Sequence, residues 1–455
     1  MNKPPNKLYD QLEALGQAHV LTFWDELTDD ERISLINQIS SIDFELIKNH
    51  VMQLHSQQAN DLRAVEPCNT ESRRDSLHYQ EVGDELITKG ELGVLTVAGG
   101  DGTRLGWSGP KGTFPATPLT GKSLFQVIAE QILFAEKKYA ATIPWYVMTS
   151  ASNANLTKSF LLDNNCFGLD RTNIFVFNQA ENPVLDDKGK ILLAEKSKIA
   201  VSPDGHGGVI SALKSSGGLA EMAGRGINYL SYVQIDNPLA RVVDPIFLGM
   251  HVASDQSSNE VSSKAIFKTD AEEKVGIFCS IDGQTSVVEY SNLPNSKAAE
   301  KNSDGILKFN SGSIALHMFT CSFLEKIALE LPSHIVNKAV PHVDANGVLV
   351  NPSMPNAYKF EKFVFDVLPM AKKSLVVSVD RAEEFAPIKN ASGVDSPESS
   401  HALQFKRSAA WLMELGISVA PDAKVELSPL LGASPQDLVP GDLPSEIADG
   451  EELAI

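Results

Sequence analysis

The sequence predicts an α/β protein whose core is a mostly parallel sheet covered on both faces by helices. Two observations carry this. Between about Gly90 and Arg381, short apolar, β-branched runs alternate with stretches of helical periodicity, as in sheets buried on both faces. The first of those runs, Val94-Leu95-Thr96-Val97-Ala98, ends in the glycine-rich turn Gly99-Gly100-Asp101-Gly102-Thr103-Arg104. Ligands of such sheets bind beyond the carboxyl ends of the strands, so this turn stands where a site is expected.

In chain order, residues 1–85 read as a helical N-terminal region. Leu8, Leu12 and Leu15 share a face, and Thr28 with Glu31 makes a capping-box pattern ahead of Ile33, Leu35, Ile36 and Ile39. Ser56 to Ser76 is polar and reads as a surface link. In the core segment, 86–385, the apolar spacing predicts helices over Lys122–Tyr139 and Ala151–Asn164. Strands are predicted at Trp145–Thr149, Ile174–Gln179 and Tyr229–Asp236. Alternating runs at Ala265–Lys268, Val275–Ser280 and Val287–Tyr290 predict a flanking antiparallel sheet. The segment 386–455 reads as a small C-terminal domain, with a helix near His401–Leu415 and a Pro-rich, acidic tail.

Composition narrows the partners. With 455 residues, two or three domains are expected; 43% hydrophobic and 21% charged residues are those of a soluble globular protein. The net charge, 39 − 58 = −19, argues against a nucleic-acid or acidic-membrane surface. Four scattered cysteines suit free thiols in a reducing compartment. There is no apolar signal core at the start and no run near the ~18 apolar residues of a membrane span. A cytoplasmic location is the expectation.

The chemistry concentrates at the glycine turn. Glycines let successive backbone N–H groups face one anion, here from Ala98 through Gly99, Gly100, Gly102 and Thr103. Arg104 and Lys111 supply the cations that phosphates need. Two better-known loops are excluded. The dinucleotide fingerprint would need glycine at Leu105, and a Walker loop ending at Gly121-Lys122-Ser123 would need it at Ala116. Asp236 closes a strand opposite the turn, a place suited to Mg²⁺, which takes one or two carboxylates plus phosphate oxygens and water; helix capping is the other reading of this residue. Pro203-Asp204-Gly205-His206-Gly207-Gly208 is a second glycine turn, opening a helix. The ten histidines include no H-E-x-x-H, and there is no G-x-S-x-G elbow.

The pattern A-G-G-x-G-T-R-L-G followed by P-K-G resembles the signature of nucleotidyltransferases that make nucleotide sugars. Nearly the whole chain is similar to the UDP-sugar pyrophosphorylase family, in particular its eukaryotic-type UDP-N-acetylglucosamine branch. The resemblance implies a Rossmann-like nucleotidyltransferase core acting on UTP and a sugar-1-phosphate with Mg²⁺. It implies that Arg104, Lys111 and Lys389 hold the phosphates and the leaving pyrophosphate, and that Asp236 lies at the metal and nucleotide. Gln179 reads the uracil edge, Gly205 lies against the nucleotide, and Glu289, Tyr290, Asn310 and Ser313 line the sugar pocket. His206 stands where the N-acetylglucosamine branch has an asparagine that touches the sugar and where the glucose-using branch has histidine, so the resemblance implies that it too contacts the sugar. Ser313 is a second departure, replacing the usual asparagine. N-acetylglucosamine-1-phosphate is the expected sugar, with glucose-1-phosphate the alternative. A nucleotide-sugar binding protein without turnover is the rival class.

Overall fold

The computed structural model describes residues 4–55, 65–73 and 77–455. Of the expected surface link, residues 56–64 and 74–76 lie outside the described residues. The remainder of that link holds two short strands, Val65–Pro67 and Glu71–Ser72. Both pair with strands far along the chain, Ile277–Ile281 and Leu375–Ser378, which a local reading of polar sequence does not reveal.

The chain folds as two compact units. The smaller comprises Met1–Asp61, Gln179–Val209 and Glu330–Val364; the larger comprises Leu62–Asn178, Ile210–Leu329 and Phe365–Ile455. These units cut across the segments 1–85, 86–385 and 386–455. The reason is packing. The amino-terminal helices bury Leu8, Leu12, Leu35 and Ile39 against Leu185, Ile191, Leu193 and Phe360, which the chain brings from two later excursions. In the helix Asp29–Ser40, the Thr28 side chain accepts from the Glu31 N–H, and the Glu31 carboxylate accepts from the Thr28 N–H at 2.8 Å, the expected capping box.

The larger unit is built on an 11-stranded sheet. At its centre Leu92–Val97 lies parallel between Tyr229–Gln234 and Trp145–Thr149, and Ile174–Asn178 continues the parallel run. Ser311–Thr320 enters antiparallel between Tyr229–Gln234 and Val261–Phe267. The run at Ala265–Lys268 is therefore an inner strand that pairs parallel with Leu375–Ser378, and only Ile277–Ile281 and Gln284–Val288 form the flanking antiparallel hairpin. Leu124–Tyr139 starts on the Ser123 side chain, which accepts from the Gln126 N–H, and buries Phe125, Ile128, Ala129 and Ile132 on the sheet. Burying the Phe and Ile side chains contributes roughly 1.5–3 kcal/mol each. The carboxyl-terminal residues add their own small core of Trp411, Leu412, Ile417, Val425, Leu438 and Ile447 within this unit. No helix among the described residues is long and apolar enough to cross a membrane.

Candidate active site

The glycine turn leaves the carboxyl end of Leu92–Val97 as a closed hairpin. The Gly102 N–H donates to Gly109 O at 2.9 Å, and the Lys111 N–H donates to Gly100 O at 3.1 Å. Trp107 folds back into it, its indole N–H donating to Thr113 Oγ1 at 2.9 Å and its ring standing edge-on to Phe114. A Cβ at residue 102 would come within 2.6 Å of the Trp107 side chain. Glycine at 102 is thus required by Trp107, and its N–H is spent inside the loop rather than offered to a ligand. The Ala98 N–H is likewise taken, by Met148 O at 2.8 Å. Gly100, by contrast, faces open space. Thr103 and Arg104 are exposed on the single helical turn that follows.

Three charged groups converge beside this loop. Lys111 Nζ lies 3.2 Å from Asp236 Oδ2, both side chains 15% exposed. Burial pushes the Asp236 carboxyl up, but Lys111 and Lys389 outweigh it and hold the group below the usual carboxylate range. No helix follows Asp236 until Pro245, and that one is capped by Asp244, so the capping role belongs to Asp244. Asn237 acts as a bracket: its amide donates to Glu384 O at 2.7 Å, and its Oδ1 accepts from the Ala386 N–H at 3.0 Å. The Ile388 N–H donates to Asp236 O at 2.8 Å, which seats Lys389 next to the carboxylate. Among the described residues no three His, Cys, Asp or Glu side chains gather into a metal cage. A lone ionised carboxylate fits Mg²⁺, whose other ligands are then phosphate oxygens and waters.

In the smaller unit, the Asp204 N–H donates to Ala180 O at 3.0 Å, tying the chain just after Gln179 to the second glycine turn. Gly205 has φ +85°, and a Cβ there would sit 2.4 Å from Lys362 O, so both conformation and space demand glycine. His206 Nδ1 accepts from the Val364 N–H at 3.2 Å, and the ring stacks on Phe363, which stacks in turn on His334. Burial, with His334 nearby, lowers the His206 pKa to about 4. The ring is therefore neutral near pH 7 and carries its proton on Nε2.

Of the residues expected around the sugar, His206 lies in the smaller unit and Glu289, Tyr290, Asn310 and Ser313 lie in the larger. The Ser313 N–H donates to Gly276 O at 2.7 Å, and a Cβ on Gly276 would meet Glu289 Oε1 at 3.7 Å, so Ser313 and Glu289 share one neighbourhood. Tyr290 is exposed. Asn310 lines a cavity of about 570 Å³ with Lys268 and Thr269, at the carboxyl end of Val261–Phe267.

Residues 42–431 match the family model described as UTP--glucose-1-phosphate uridylyltransferase. The chain belongs to that family. It is 35% identical to the UDP-N-acetylhexosamine pyrophosphorylase-like protein 1 of Homo sapiens, over 89% of this chain and 85% of that one. It is also 35% identical to UDP-N-acetylglucosamine diphosphorylase 2 of Arabidopsis thaliana, over 96% of this chain and 91% of that one. Among solved structures, the uridine diphosphate N-acetylglucosamine pyrophosphorylase from Trypanosoma brucei, in complex with inhibitor, superposes with a TM-score of 0.79 at 25% identity. That match covers 95% of this chain and 93% of the other.

For a member of this uridylyltransferase family, two residues matter that the sequence reading passed over. Asp395, at φ +57°, closes the loop that carries Lys389: its carbonyl accepts the Lys389 N–H at 2.6 Å and the Asn390 N–H at 3.0 Å. Asn153 sits beneath the glycine turn, fully buried. The available signal was weak, an aspartate ahead of Ser-Pro and an asparagine just past a strand end. Lys122, the lysine of the failed Walker match, is engaged elsewhere, by Glu130 at 2.6 Å and Ser428 at 2.8 Å.

Proposed function

We propose that this chain is an Mg²⁺-dependent uridylyltransferase that forms a UDP-sugar and pyrophosphate from UTP and a sugar-1-phosphate. The observation that carries this reading is the convergence of Lys111, Asp236 and Lys389 beside a glycine hairpin, in a chain of this family. A phosphate oxygen of the sugar-1-phosphate attacks the α-phosphorus of UTP in line, and the bond from that phosphorus to the bridging oxygen of pyrophosphate breaks. Nucleotidyl transfer needs alignment and charge neutralisation rather than a covalent enzyme intermediate. Lys111 and Lys389 are held where they oppose phosphate charge, and Arg104 extends from the exposed side of the loop. Bound Mg²⁺, with Asp236 as its protein ligand, would supply Lewis-acid neutralisation of phosphate charge.

For Gln179, Gly205 and His206 the roles follow the family resemblance: the uracil edge, the nucleotide and the sugar. Glu289, Asn310 and Ser313, with Tyr290, are assigned to the sugar on the same ground. N-acetylglucosamine-1-phosphate is the first choice, supported by the names of the relatives; His206 favours glucose-1-phosphate as the second. The setting proposed is the cytoplasm. Pyrophosphate release from UTP across a panel of sugar-1-phosphates tests the whole reading. Binding of UTP with no release for any sugar would leave a nucleotide-binding protein instead of an enzyme.

A further inference from the structure

Asn153 is 1% exposed and lies under the glycine hairpin. Its Oδ1 accepts from the Ser150 N–H at 3.0 Å, so the amide nitrogen must face the other way. There Nδ2 meets Gly99 O at 3.1 Å, with Asp101 Oδ1 at 3.3 Å and the carbonyls of Ala98 and Gly100 at 3.4 Å. One amide thus gathers three consecutive carbonyls, the Gly99 contact being the tightest.

The peptide bonds here are all trans. In a planar trans peptide the carbonyl of one residue and the N–H of the next point in opposite directions. Holding the carbonyls of Ala98 and Gly99 toward Asn153, while the Lys111 N–H at 3.1 Å helps fix that of Gly100, therefore turns the N–H groups of Gly99, Gly100 and Asp101 away from it. Among the described residues none of these three N–H groups has a protein acceptor. Successive outward N–H groups form an anion-binding concavity. Without Asn153 the neighbouring carbonyls of Ala98 and Gly99 would have no donor among the described residues and would repel each other, and the turn would relax. A buried, correctly oriented amide donor is what makes the arrangement stable.

We propose that Asn153 is the positioning residue of the phosphate loop, holding the backbone N–H groups of Gly99, Gly100 and Asp101 ready for the triphosphate of UTP. The inference rests on the phosphate-loop reading above and deepens it. Asn153 touches no substrate; it acts through the loop. Aspartate is the most informative replacement, because it keeps the shape but turns a donor into an acceptor facing three carbonyls.

The test compares Asn153→Asp and Asn153→Ala with Arg104→Ala and Lys111→Ala in the full-length protein. Affinities for UTP and for pyrophosphate are measured by calorimetry, KM for each substrate by kinetics, and Tm by thermal unfolding. In N153D and N153A both affinities should fall about tenfold or more, while KM for the sugar phosphate moves far less. If N153D does not fold, N153A alone decides, since it removes the donor without adding charge. Unchanged affinities in the Asn153 variants beside weakened ones in R104A and K111A overturn the inference and leave the loop reading standing. Unchanged affinities in all four overturn both. A uniform loss for every substrate with a fallen Tm assigns Asn153 to packing, which also overturns it.

Discussion

Lys111 Nζ and Asp236 Oδ2 stand 3.2 Å apart across the carboxyl ends of two neighbouring parallel strands. The pair joins the glycine hairpin to the strand end opposite, in a place largely removed from water. On the proposed reading, an incoming phosphate would draw the lysine and leave the carboxylate to a cation.

Replacing Lys111 or Arg104 by alanine should each lower kcat by about 10²-fold or more with the fold intact, the scale for donors acting on developing charge. Steady-state kinetics with Tm as control checks this. The two should differ in one respect. Losing Lys111 strips Asp236 of a partner, so burial raises the carboxyl pKa, and the acid limb of the pH–rate profile should move upward in K111A alone. Two variants that turn over like the parent would dispose of the phosphate-loop assignment.

Asp236→Asn should keep UTP binding measurable while raising the Mg²⁺ concentration needed for half-maximal rate, since a neutral oxygen is a poorer ligand for a hard cation. The carboxyl pKa is held low by Lys111 and Lys389. Its contribution to stability is therefore present above the unfolded-state pKa and lost as pH falls through the lower folded value. D236N should be less sensitive to acid in that window. An unchanged magnesium titration would remove Asp236 from the metal.

Glycines 100 and 102 look alike in sequence but should respond differently. Gly102→Ala drives a methyl into Trp107 and should disorder the hairpin, costing activity and several degrees of Tm. Gly100→Ala meets nothing within 4 Å and should keep the Tm of the parent. Any activity it loses then reports on ligand approach. Equal loss of Tm in both would contradict the packing described.

This contrast marks how far the sequence could be read. Trp145–Thr149 and the capping box at Thr28 were legible because local periodicity and local hydrogen bonding decide them. The position of the glycine turn followed from the strand before it, and Asp236 from the strand that ends near it. Which N–H groups the turn keeps for itself was hidden, because that depends on Gly102 pairing back onto Gly109, on Ala98 pairing with Met148 of the next strand, and on Asn153 beneath the turn. The grouping of Leu8 and Leu12 with Phe360 was hidden for the same reason.

Two buried histidines, His50 and His251, and the half-buried His206 set a pH dependence. Burial lowers His50 and His206 to about 4 and His251 to about 3. The unfolded chain binds protons on these rings near pH 6.5 and the folded one does not, so their contribution to stability should be full near pH 7 and be lost as pH drops from about 6.5 toward 4, offset in part by the buried Asp204 carboxyl, whose pKa is raised to about 6. Tm measured across this range checks it; a flat profile between pH 5 and 7 would mean that these rings do not stay neutral on folding.

The sugar turns on His206. Because Nδ1 accepts from the Val364 N–H, the neutral ring carries its one proton on Nε2, on a plane fixed by stacking on Phe363. Asparagine would offer both an NH₂ donor and a carbonyl acceptor on a smaller side chain, which suits an acetamido group and leaves room for its methyl. His206→Asn should therefore raise the ratio of kcat/KM for N-acetylglucosamine-1-phosphate over glucose-1-phosphate. One pocket contact is worth ~1–3 kcal/mol, about 10- to 200-fold. KM for UTP should stay nearly constant, because the uracil edge is assigned to Gln179. The Val364 N–H loses its acceptor in this variant, so a modest Tm decrease is expected and does not bear on the sugar. A fixed sugar ratio with collapsed UTP binding would move His206 to the nucleotide, and the choice between the two sugars would then rest on Glu289, Asn310 and Ser313.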